Sequence, residues 1–206
     1  MSKHKHKHDD PQAPPPQEAP GSSPGRAIGG DFVADVKAIR ERARRHIETG
    51  AVTDAYRANR TTVIKLLNEA LATELVCVLR YKRHHFMAQG LAAEPVAAEF
   101  AAHAAEEQGH ADLIAARIVQ LQGEPDFAPD TLTGRAHAEY KEGRDLIDMI
   151  REDLVAERIA IESYSEMIRY LGSDDATTRR MLEGILATEE EHADDMSSLL
   201  VKLDRG

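Results

Sequence analysis

The sequence predicts an all-α fold: a four-helix bundle preceded by one short extra helix. Three observations predict it. Alanine, glutamate, leucine and arginine dominate the 206 residues, a composition that leans helical. Apolar positions recur at three- and four-residue steps through four long segments. No run rich in Val, Ile and Thr alternates as a strand would. Aromatics make up only 4% of the chain and Trp is absent, which speaks against a large β-sandwich core.

Residues 1–30, with their Pro, Gly, Ser and Gln, read as a disordered tail or tag, including the run KHKHKH. Over 31–50 a short helix is predicted, capped by Asp31, running to about Thr49 and stopped by Gly50. The bundle itself is assigned to 54–203. Its first helix is capped by Thr53 or Asp54 and runs to about Gln89, before Gly90. Pro95 suits the first turn of the second, which ends before Gly123. GEPDFAPDTLTG is a loop, followed by a short helical piece over about 134–143. The third long helix covers roughly 145–171, ending at Gly172. The fourth runs from about Ala176 to Lys202.

One cysteine, Cys77, excludes an intramolecular disulfide framework and a Cys-rich metal site; it reads as a small buried hydrophobe. No apolar run approaches the ~20 residues that span a membrane, and the N-terminus lacks the apolar core of a signal peptide. A cytoplasmic protein is expected. The formal charge of −10 is unevenly placed. Residues 1–60 hold 11 Lys/Arg against 8 Asp/Glu, and residues 61–206 hold 15 against 28. An acidic body is a poor surface for nucleic acid. The three tail lysines precede two aspartates, so DNA is not an expected partner.

Charged residues interrupt the apolar stripes. On the first long helix the steps 67-71-74-78-81 pass through Glu74. On the second, 100-103-107-110-114 pass through Glu107 and His110. The third, 150-154-157-161-164, contains Glu157, and the fourth, 182-185-189-192-196, contains Glu189 and His192. Four glutamates and two histidines thus stand where Leu or Ile belong. An ionised carboxylate buried without a partner costs several kcal/mol. Four together exceed what a domain stable by about 5–15 kcal/mol can carry. Two divalent cations would neutralise them. In Glu-x-x-His the side chains lie about 300° apart around the helix, so both face inward one turn apart.

The pattern occurs twice. Glu74 is followed seven residues on by Tyr81 and then by Glu107 and His110; Glu157 is followed seven on by Tyr164 and then by Glu189 and His192. The lone and paired glutamates are 33 and 32 residues apart. Such a repeat suits a dinuclear site with two-fold symmetry. Tyr81 and Tyr164 read either as core aromatics or as hydrogen-bond donors orienting ligand carboxylates. Glu106, Glu190 and Glu191 read as solvated or supporting groups, and His84, His85, His103 and His137 as surface or auxiliary residues.

At these residues the chain resembles the bacterioferritin and Dps-like branch of the ferritin superfamily. LNEALATELVCVLRYKRHH, EEQGHADLIAARIVQLQGEP, DLVAERIAIESY and ILATEEEHADDM are similar to the four bacterioferritin helices in turn. One Glu from each of two helices with Glu-x-x-His from each of the other two is the known donor pattern of ferritin-like di-iron and di-manganese bundles. The resemblance implies an antiparallel bundle with a long crossover. It implies Glu74 and His110 on one iron, Glu157 and His192 on the other, and Glu107 and Glu189 bridging. The implied activity is a ferroxidase: Fe(II) is oxidised to Fe(III) with O2 or H2O2 in a homo-oligomeric cage that stores or detoxifies iron. Two iron ions per subunit are implied, with manganese possible. Manganese catalase or peroxidase chemistry on the same bundle is the alternative. Gln108 stands where bacterioferritins place a haem-ligating Met, so no haem is predicted. Only 14 residues follow His192, so no fifth C-terminal helix is predicted. With the long connection and the extra N-terminal helix, this favours a 12-mer over a 24-mer.

Overall fold

The computed structural model describes residues 33–90 and 93–204. Asp31 and the tail over 1–30 lie outside the described residues. The helices are α1 (Val36–Ala43), α2 (Arg60–Met87), α3 (Ala93–Gln120), α4 (Leu132–Arg135), α5 (Leu146–Leu171) and α6 (Ala176–Asp204), with a single 3₁₀ turn at Ile47–Thr49. No strand occurs among the described residues. None of the helices is long and apolar enough to cross a membrane.

Four long helices form the bundle. α2 packs chiefly on α3 and α5 chiefly on α6, with α2 touching α5 and α3 touching α6. Short links join α2 to α3 and α5 to α6, as antiparallel neighbours require. Residues 121–145 make the long crossover. Among the described residues no helix follows α6. The described residues from Lys37 onward form one compact unit.

The helix ends follow local chemistry. Asn59 caps α2, its side chain accepting from the Thr62 N–H at 3.1 Å. The expected caps, Thr53 and Asp54, are otherwise engaged: Thr53 Oγ1 accepts from Ala55 N–H and Asp54 pairs with Arg45. Pro95 lies in the first turn of α3, and Gln122, at φ 62°, ends that helix region. Gly123 leaves no room for a side chain, since a Cβ there would lie 2.8 Å from Ile64 Cγ2. Asp145 caps α5 through Asp148 N–H, and Gly172 at φ 50° closes it. Asp175 accepts from Thr178 N–H at the start of α6.

Two predicted helices are shorter than expected. The N-terminal one covers only Val36–Ala43 and buries none of its residues. A short helix without a packed face is marginal, and the chain turns at His46, φ 50°. The piece expected over 134–143 is one turn, α4, followed by irregular chain. Its backbone groups bond α2 instead of one another. Thr73 Oγ1 accepts from His137 N–H at 2.9 Å, Arg80 donates to Glu139 C=O at 3.1 Å, and His84 Nε2 bonds Lys141 C=O at 3.0 Å.

The core has three layers along the bundle axis. One apolar cluster holds Leu67, Leu71, Ile114, Ile118, Leu182 and Ile185 among others. A second holds Tyr81, Phe100, Ile150 and Met196. Between them in sequence on every long helix lie the glutamates and histidines. A buried ion pair braces this region: Arg80 Nε donates to Asp153 at 2.8 Å, and His84 Nδ1 lies 2.8 Å from the other Asp153 oxygen, all three side chains at most 1% exposed.

Removing one partner of such a pair strands a buried charge, at a cost of about 3–5 kcal/mol, whereas apolar replacement of both is often near neutral. Asp153→Leu should therefore lower the denaturant midpoint strongly, and Arg80→Met/Asp153→Leu should recover much of the loss. Equal loss in the single and double variants would contradict this account.

Candidate metal centre

Glu74 on α2, Glu107 and His110 on α3, Glu157 on α5, and Glu189 and His192 on α6 converge in the bundle interior. All six are buried. The convergence follows from helix geometry, because each occupies an inward step of a stripe whose other members are core residues.

Donor atoms gather into two overlapping sets. Glu74, Glu107, His110 and Glu189 each offer an atom to one, and Glu107, Glu157, Glu189 and His192 to the other, the atoms of each set lying within 4.8 Å of one another. Glu107 and Glu189 belong to both. His110 Nδ1 lies 2.9 Å from Glu189 Oε1 and 3.3 Å from both Glu74 Oε2 and Glu107 Oε2. His192 Nδ1 lies 3.7 Å from Glu107 Oε1, 3.8 Å from Glu189 Oε2 and 3.9 Å from Glu157 Oε2.

Tyr81 and Tyr164 cross the bundle. Tyr81 donates to Glu157 and Tyr164 donates to Glu74. Each therefore orients the lone glutamate of the other half. His192 Nε2 bonds Glu106 at 2.6 Å, which turns Nδ1 inward. The remaining sequence candidates are spread out. Glu190, Glu191 and His137 are exposed, His85 is half-buried, and Cys77 is buried. His84 is fully buried in the Arg80–Asp153 cluster, so its position is not a surface one.

The electrostatics are those of crowded carboxylates with little water. Burial and the neighbouring Glu74, Glu157 and Glu189 push Glu107 well above the usual carboxylate range. Burial and Glu189 do the same to Glu157. Burial also works against charge on Glu189, but His110 and His192 outweigh it and hold its carboxyl at about 2. Burial opposes the His110 cation, yet the close carboxylates of Glu107, Glu189 and Glu74 raise it to about 12. His192, against the same burial and beside Glu189, Glu157 and Glu106, rises to about 9. Even so, Glu74 Oε2, Glu107 Oε1, Glu157 Oε2, both Glu189 oxygens and His192 Nδ1 are buried without a hydrogen-bond partner. Unsatisfied buried polar atoms cost about 1–3 kcal/mol each. Six of them aimed at one space, all oxygen or imidazole nitrogen, fit a pair of divalent transition-metal ions.

Three residues of this neighbourhood carry more than the sequence reading gave them. His103 lies on the step 100-103-107 itself, stacked on His192 with ring centroids 3.9 Å apart. Asp153 lies one turn before Glu157 on the same face. Arg80 is flagged only by its place beside Tyr81, since its buried partner is distant in sequence.

Known proteins share this architecture. A family model for the ferritin-like domain matches residues 64–206. Bacterioferritin from Rhodobacter capsulatus is 29% identical over 145 residues, spanning 69% of this chain and 85% of the relative. A dodecameric thioferritin, the bacterioferritin-related protein of Bacteroides fragilis, superposes with a TM-score of 0.70 at 32% identity, over 72% of this chain and 90% of that one. Mycobacterium tuberculosis bacterioferritin gives 0.62 at 30% identity, over 70% and 87%. Similarity in sequence and in helix arrangement therefore agree, and the chain belongs to the ferritin-like family, with bacterioferritin and Dps-like relatives.

Proposed function

We propose that the protein is a ferroxidase that oxidises Fe(II) to Fe(III) with O2 or H2O2 at a dinuclear carboxylate centre within each subunit. Its role is iron storage and detoxification in a cytoplasmic homo-oligomeric cage. The observation that carries the reading is the sharing of Glu107 and Glu189 between the two donor sets. A shared carboxylate can hold two cations side by side, and a pair of ferrous ions supplies two electrons to one oxidant.

The chain's own residues divide the work. Glu74 and His110 would hold one ion, Glu157 and His192 the other, with Glu107 and Glu189 bridging. Tyr164 and Tyr81 fix the rotamers of Glu74 and Glu157, and Glu106 fixes the His192 ring. The apolar clusters on either side keep the carboxylates poorly hydrated, which strengthens their attraction for cations. Gln108 at the haem-ligand position supports a haem-free protein. The dodecameric Bacteroides relative supports a twelve-subunit cage.

Glu107→Ala and Glu189→Ala should each slow Fe(II) oxidation at least about 100-fold, beyond the 10–100-fold typical of residues that merely support a ligand, with helical circular dichroism retained. Oxidation at the parent rate would overturn the bridging roles. Fast O2 evolution from H2O2 without iron retention would place the protein among catalase-type bundles instead.

The protonation pattern sets the pH dependence. Without metal, burial and neighbouring charge favour the protonated forms of Glu107 and Glu157, and the surrounding carboxylates favour the charged forms of His110 and His192, whereas ligation needs all four without those protons. Anaerobic Fe(II) or Mn(II) binding should therefore release protons to a weakly buffered indicator, and affinity should rise with pH. Binding with no proton release would refute the buried ligand set.

Ions that bind only the folded state stabilise it by about 2.7 kcal/mol at a hundredfold excess over Kd. At about 2–4 °C per kcal/mol, Mn(II) at that excess should raise the melting temperature by roughly 5–10 °C. The gain should vanish in Glu189→Ala.

A further inference from the structure

A further group of donors adjoins the dinuclear pocket, with His103 at the boundary, close to Glu157 and His192 as well. His103 is stacked on His192, and its side chain is only 3% exposed. Its Nδ1 lies 3.2 Å from the Tyr81 hydroxyl oxygen. Tyr81 has one proton, and that proton goes to Glu157. The Tyr81 oxygen must therefore accept from His103, which puts a proton on Nδ1. The other ring nitrogen, Nε2, faces two carboxylates: Glu99 Oε1 at 3.4 Å on the same helix and Asp195 Oδ2 at 3.7 Å on α6. One atom from each of the three residues lies within 4.8 Å of the others. The two carboxylates repel each other at this separation, and a cation held between them and the buried imidazole would relieve that repulsion.

The internal repeat gives these residues no counterpart in the other half. His103 and Glu99 lie four and eight residues before Glu107, and Asp195 lies three after His192. The corresponding positions of the other half are Ile185, Met181 and Leu113. A donor trio on one side is matched by three apolar residues on the other.

We propose that Glu99, His103 and Asp195 form a third divalent-cation site, on the solvent side of the dinuclear pocket. One imidazole nitrogen and two carboxylate oxygens suit Zn(II), Fe(II), Mn(II) or Co(II). The Glu99 and Asp195 side chains are 40% and 54% exposed, so water completes the coordination and the ion exchanges with solvent. The site stands without the dinuclear reading.

The test is anomalous diffraction from crystals of the full chain soaked in Zn(II), together with equilibrium Zn(II) stoichiometry in solution. The parent should show an anomalous peak bounded by Glu99, His103 and Asp195. The Glu99→Gln/Asp195→Asn variant should lose that peak, keep the two peaks among the six buried residues, and bind one ion fewer per chain. Tail histidines contribute equally to both proteins and cancel in the difference. Peaks among the six residues alone would overturn the third site and leave the dinuclear reading intact. A third peak that survives in the double variant would also overturn it. A peak at Glu99, His103 and Asp195 alone would uphold the third site and count against the dinuclear centre.

Discussion

Four carboxylates forced into one buried layer are the constraint on which the rest of this structure turns. Each would cost several kcal/mol if left ionised and unpaired, in a domain whose net stability is only about 5–15 kcal/mol. The surroundings answer that cost piece by piece. Tyrosines donate to the two lone glutamates, histidines stand beside Glu189 and favour its charge, and burial shifts Glu107 and Glu157 toward their neutral forms. These devices still leave six buried polar atoms without hydrogen-bond partners. Cations satisfy in one step what hydrogen bonding satisfies only in part.

The same logic explains why so much was legible beforehand. A glutamate on an apolar stripe contradicts its own neighbours, and the contradiction repeats on four helices at matched spacing. Helical periodicity alone therefore brings Glu74, Glu107, His110, Glu157, Glu189 and His192 to one place. The crossed pairing of Tyr81 with Glu157 and Tyr164 with Glu74 needed the fold, because each partner lies on a helix far off in sequence. His103 shows the opposite failure: it stood on the counted steps, but a lone histidine carries no signal until its partners are known.

What escaped the sequence altogether was structure made by side chains of one element on the backbone of another. The stretch after α4 has the composition of a helix, yet Thr73, Arg80 and His84 take up its backbone groups and lay it along α2. Asn59 displaced Thr53 and Asp54 as the α2 cap for a related reason, the two earlier residues being engaged in local contacts of their own. Local propensity sees neither competition.

The division of donors between the two helical hairpins has a mechanical corollary. The α2–α3 hairpin contributes Glu74, Glu107 and His110, and the α5–α6 hairpin contributes Glu157, Glu189 and His192. Yet each donor set borrows one carboxylate from the opposite hairpin. Neither half can complete a coordination sphere alone. Any ion seated there acts as a rivet between two halves whose direct junction is otherwise the slighter of the packing contacts, so the order in which the hairpins meet and the ions arrive is a property of the same carboxylates that would perform the chemistry.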